Sequence, residues 1–264
     1  MRNDILGRVA VIAAIASGLM LAPTAVAKPA VIAEPMFTPD FSGFWKLAPE
    51  QGTLKNPAIP GPHGLSRGWM TMGGWANNPP PPLTAEGLDR VRESQLRETN
   101  GEAIDERSKA CLPSTLFDAM THAEPIDIVQ RQDAIAMVSE RELAVPRRVF
   151  IAGPQLPAAA PKPSVNGHAV GRWEGDTLVI ETAGFEPDSW LFLVDYIPHT
   201  ADLRVTERLH LELGGERLIW TATFTDPVIF SEPWTVEFRF ARVADMEALE
   251  SVCDRDNRGL WAAP

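Results

Sequence analysis

"LRVTERLHLELGGERLIWTATFT", residues 203–225, is two alternating runs joined at Gly214-Gly215. In the first run Leu203, Val205, Glu207, Leu209, Leu211 and Leu213 fall on one face, and Arg204, Thr206, Arg208, His210 and Glu212 on the other. In the second, Leu218, Trp220, Ala222 and Phe224 share a face. A period of two with one greasy side is the mark of a half-buried strand, and a Gly-Gly link between two such runs marks a hairpin. The fold is therefore expected to be mainly β, and Glu207 stands out as an acid on an otherwise apolar face.

The same period runs through the C-terminal part of the chain. Strands are predicted at 126–130, 133–141, 147–151, 168–174, 176–183, 203–212, 216–226 and 233–243. Gln132-Asp133 and Gly175-Asp176 supply two further short turns. Residues 154–163, rich in Pro, and 184–202 form longer loops. About eight sequential antiparallel strands close into an up-and-down, lipocalin-like β-barrel without an exposed edge. A two-sheet β-sandwich is the alternative.

The chain divides into residues 1–27, 28–125 and 126–264. Arg2 and Arg8, the apolar run from Val9 to Leu21 and the small-x-small triplet Ala25-Val26-Ala27 read as a cleavable export signal. The mature protein is then expected in the periplasm or outside the cell, with no membrane insertion after cleavage. Residues 28–125 form a Pro- and aromatic-rich wrapping segment, with "DFSGFW" (40–45) and "GWMTMGGW" (68–75) as anchors. Thr84 is placed to cap a helix near 84–99, which Asn100-Gly101 stops. The barrel occupies 126–264. Cys111 and Cys253 are the only cysteines of the 264 residues. In an oxidising compartment an even pair predicts a disulfide.

A net charge of −11 with no Lys/Arg cluster argues against a nucleic-acid partner. Phosphate-binding, dinucleotide, zinc-helix and serine-elbow motifs are absent from the sequence. The five histidines lack metal-ligand spacing, so neither a metal nor a cofactor is expected.

Glu207 carries the chemistry the sequence suggests. Desolvation among Leu, Trp and Phe raises a carboxylate's pKa unless a cation pairs with it, and such a group serves as general acid or base. An internal ion pair with an arginine, or a bulge turning Glu207 outward, is the structural reading. In "GHAVGRWEGDTLVIETAGF" (167–185) alternation leaves open which face is inside. One face has Gly167, Ala169, Gly171 and Trp173; the other has His168, Val170, Arg172 and Glu174. If the second faces inward, Arg172 partners Glu207 or a substrate, with His168 beside it. In the loop "FEPDSWLFLVDYIPHT" (185–200), Asp195 is placed to orient His199 as a base, with Trp190 and Tyr196 as contacts. Both also read as turn residues beside Pro198, the reading that this spacing favours. Trp220, Phe224 and Phe238 complete the substrate-binding set on the interior.

The motifs "DFSGFW" (40–45), "GHAVGRWEGDTL" (167–178), "PHTADLRVTER" (198–208) and Cys253 near Asn257-Arg258 resemble those of a large, largely uncharacterised group of secreted proteins of Gram-negative bacteria. Ala169 and Thr200 stand where that group usually has Ser. The resemblance implies export and says nothing of chemistry.

The expected function is a periplasmic barrel enzyme performing cofactor-independent acid–base chemistry on a hydrophobic, aromatic or terpenoid-like small molecule. Isomerisation, elimination, cyclisation or hydration all fit. On that reading Glu207→Gln abolishes turnover and leaves folding intact. A non-catalytic lipocalin-like carrier is the alternative. Oligomeric state is not legible.

Overall fold

A computed structural model describes residues 38–48, 79, 81–100, 115–120, 124–140, 144–151, 162–187, 190–192, 197–244 and 246. The strands are β1 (Gly43–Leu47), β2 (Ile126–Gln130), β3 (Ala134–Ser139), β4 (Arg147–Ile151), β5 (His168–Glu174), β6 (Thr177–Ala183), β7 (Trp190–Phe192), β8 (Ile197–Pro198), β9 (Arg204–Glu212), β10 (Arg217–Thr225) and β11 (Trp234–Val243). Two helices accompany them, α1 (Ala85–Thr99) and α2 (Leu116–Met120). The barrel is closed in the order β1-β11-β10-β9-β6-β5-β4-β3-β2, while β7 and β8 pair only with each other. A sandwich is excluded by that closure.

Two features correct the sequential antiparallel expectation. The barrel takes a ninth strand, β1, from the "DFSGFW" segment read as wrapping. Trp45 lies opposite Ile126 of β2 on one side, and Leu47 opposite Phe240 of β11 on the other. Closure therefore draws on residues either side of position 126. Secondly, β4 and β5 run parallel, with Val149 opposite Ala169. The chain between them exceeds the dozen residues that a crossover requires, so β5 is free to start at the end where β4 starts.

The hairpins follow their turn residues. The Arg131 N–H donates to the Ala134 carbonyl across Gln132-Asp133 at 2.8 Å. Glu174 pairs with Thr177 around Gly175, whose φ of +67° suits a residue without Cβ. At Leu213–Gly215 the link between β9 and β10 is a 3-10 turn.

Alternation places Val205, Glu207 and Leu209 of β9 inside with Leu218, Trp220, Ala222 and Phe224 of β10. Trp234, Val236, Phe238 and Phe240 of β11 continue that interior. Burying each of the Val, Leu and Phe side chains among them contributes about 1.5–3 kcal/mol against leaving it in water. On β5 the inner positions are Ala169 and Gly171. A Cβ on Gly171 would lie 2.8 Å from Ile151 Cδ1 and 3.0 Å from Val149 Cγ1, so the small residue makes room for β4 side chains.

Each end of the barrel is covered. At the end holding the β5–β6 turn, Phe41 is fully buried and stacks on Trp173 at 5.6 Å between centroids. Arg242 lies over the Trp45 ring at 4.3 Å and donates to the carbonyls of Ser42, Asp40 and Gly215. At the opposite end sits α2, all five residues of which are buried. Its Phe117 ring meets Phe224 edge-on at 5.2 Å and Phe185 at 6.3 Å. The helix α1 matches its expected position, capped by Thr84 Oγ1 accepting from the Gly87 N–H at 2.9 Å. The predicted Cys111–Cys253 bond lies outside the described residues.

Candidate functional site

Glu207 is 0 % exposed, and so nearly is Arg147 at 2 %. Arg147 opens β4, which brings its guanidinium across the barrel to β9. Its Nη1 donates to Glu207 Oε1 at 2.7 Å, and its Nη2 donates to Oε2. Trp220 Nε1 of β10 donates to Oε1 at 2.9 Å. Thr182 of β6 accepts from Arg147 Nη2 at 2.7 Å while its hydroxyl donates to Oε2 at 3.4 Å. An ionised carboxylate offers about four lone-pair positions. Here four donors occupy them. The cluster ties β4, β6, β9 and β10 together at the centre of the barrel.

The guanidinium has a second neighbour. Its carbon lies 5.2 Å from the centroid of the Phe117 ring. The Nε–H of Arg147 is buried and finds no acceptor. Phe117 is not part of the barrel wall; it is carried by α2. That helix is fastened by the Leu116 N–H, which donates to Asn166 Oδ1 at 2.8 Å, and by Thr115 Oγ1, which donates to the Leu191 carbonyl at 2.9 Å. Asn166 in turn donates to the Val145 carbonyl at 3.0 Å, so one side-chain amide joins α2 to the entry of β4.

The remaining predicted residues divide between interior, surface and undescribed positions. Trp220, Phe224 and Phe238 are fully buried in the interior. Arg172 does not face Glu207: it is exposed on the outer side of β5. There it pairs with Glu181 at 2.8 Å and Glu174 at 3.0 Å, and Arg208 joins Glu174 at 3.0 Å. Arg208 and then Arg172 hold the Glu174 carboxyl below the usual carboxylate range by their hydrogen bonds. His168 shares this outer side, its Nε2 lying 2.7 Å from the Lys162 carbonyl. The inward alternative for this strand is overturned because Ala169 and Gly171, not the polar set, fit against β4. His199 is buried at the α2 end, with Nδ1 3.0 Å from the Thr200 carbonyl and its ring edge-on to Phe185 at 5.8 Å. Asp195 and Tyr196 lie outside the described residues, as does the side chain of Trp190. Thr200 uses its hydroxyl on Asp226 Oδ1 at 3.2 Å and its N–H on Oδ2 at 2.6 Å.

Arg147, Asn166 and Phe117 are the residues that sequence reasoning missed. For Arg147 a signal existed: in "RRVFI" (147–151) it alternates with Val149 and Ile151, as Glu207 alternates with leucines. Among the described residues, no group of three His, Cys, Asp or Glu side chains is arranged to hold a metal ion. No described helix is long and apolar enough to cross a membrane. Compared with known proteins, the chain matches no family model and no curated protein.

Proposed function

We propose that the protein is a non-catalytic carrier of lipocalin type, taking a hydrophobic small molecule into the α2 end of the barrel. One observation carries the reading. The Phe117 ring occupies an aromatic seat between Phe185 and Phe224 over Arg147, yet it belongs to a one-turn helix and not to the barrel wall. A ring held in that way marks where another ring fits when α2 yields. Closed barrels of this size hold one small ligand or fill with side chains.

Acid–base catalysis by Glu207 has less support. A general base needs a free lone pair toward the substrate, and a general acid needs a proton to give. With four donors already engaged, the carboxylate is placed to hold Arg147 and not to exchange protons. The export pattern of residues 1–27 supports carriage in the periplasm or outside the cell.

Titration with the neutral fluorescent probe N-phenyl-1-naphthylamine tests the reading. Saturable binding at one site, strengthened in Phe117→Ala and weakened in Phe117→Trp, is the expected result. Absence of saturable binding in all three proteins would sink it.

A further inference from the structure

We infer that the ligand is an uncharged, ring-bearing molecule with a carbonyl oxygen, accepted by the Nε–H of Arg147. The inference rests on the carrier reading and adds the ligand's polar chemistry. Of the five N–H groups of Arg147, three on the terminal nitrogens donate to Glu207 and Thr182. Nε–H is the buried donor without an acceptor. A buried polar hydrogen left unpaired is costly, and the guanidinium carbon lies 5.2 Å from the Phe117 ring centroid. A ligand seated in place of that ring reaches the guanidinium, whose Nε–H has no acceptor.

Charge decides the type of acceptor. Arg147 and Glu207, both almost wholly buried, cancel each other, and Asp118 of α2 is a further fully buried carboxylate. A carboxylate ligand would leave one uncompensated negative charge there, which a low-dielectric interior strongly disfavours. An amine would bring donors to a site whose carboxylate has no acceptor position left. A neutral carbonyl satisfies Nε–H and leaves the charges balanced. The rings of Phe185 and Phe224 favour a flat or polycyclic apolar body.

Equilibrium dialysis with three probes of one shape tests this: 2-acetylnaphthalene, 2-ethylnaphthalene and 2-naphthoate. The ketone is expected to bind about tenfold more tightly than either of the others, the scale of one hydrogen bond from a charged donor. That preference should persist in Phe117→Ala and vanish in Arg147→Lys, which keeps the charge but not the Nε–H. Equal affinity for the ketone and the hydrocarbon would overturn the carbonyl inference and leave the carrier reading standing. Tightest binding of naphthoate would overturn it in favour of an anion site. Failure of all three to bind would overturn both. Should Arg147→Lys not fold, the comparison in the unaltered protein and in Phe117→Ala decides alone.

Discussion

Four donors converge on the Glu207 carboxylate, and this changes what its substitution means. Glu207→Gln, expected from sequence to stop turnover and spare the fold, instead strips the counter-charge from a buried guanidinium. The surface arginines behave differently. Arg172 bridges two exposed glutamates, and exposed pairs of this kind contribute little in water. Arg172→Gln is predicted to cost less than about 1 kcal/mol in urea unfolding and to leave probe binding unchanged. A larger loss, or altered binding, would return Arg172 to the site. Alternation told which residues share a face of β5, but not which face is inside. The deciding fact was steric: Gly171 has to sit against Val149 and Ile151 of β4, a neighbour that local sequence does not assign to β5. Glu207 was legible because its neighbours on the same face are all apolar. Its partner was not, because pairing β4 parallel to β5 is a property of the whole barrel.

At the level of elements, the hairpins announced themselves through alternation and turn glycines, while β1 and α2 did not. Five residues with a single fully buried side chain, Trp45, give β1 too little period to register. Its identity comes from pairing on both edges and from Arg242. That side chain closes three backbone carbonyls of the Asp40–Ser42 and Gly215 segments against the Trp45 ring. Arg242→Ala is predicted to destabilise the protein by about 2–3 kcal/mol, from lost charge-assisted bonds and the cation–π contact. Hydrogen exchange should show the loosening concentrated in β1, and uniform protection there would refute its role as a clasp. Acid should act on the same corner. The Ser42 hydroxyl and then the Ser42 N–H hold the Asp40 carboxyl below its ordinary pKa, with a smaller contribution from Arg242. A depressed folded pKa gives stability that is present above the unfolded value and lost as pH falls through the folded one. Asp40→Asn is therefore predicted to be less stable than the parent at neutral pH and equal to it in strongly acid solution. A deficit that persists in acid would assign the loss to packing.

Across the whole molecule, closure leaves the barrel without exposed edges, and each end has its own cover: Phe41 on Trp173 at one, α2 with Phe117 at the other. The wrapping role of the segment that carries Phe41 was expected, but neither its partner Trp173 nor α2 was legible, since both covers depend on segments distant in sequence meeting the ends of strands. Between them lies the buried ion pair on which the assignment of roles depends. The account requires Glu207 to be a structural acceptor for Arg147, with ligand chemistry confined to the α2 end. A double-mutant cycle in urea unfolding measures this directly, using Arg147→Met, Glu207→Leu and both together. Each single change is predicted to cost about 3–5 kcal/mol by leaving a lone buried charge, and the double variant to be more stable than either single one. Additive effects, with Glu207→Leu alone costing less than about 1 kcal/mol, would contradict the account and free the carboxylate for other work.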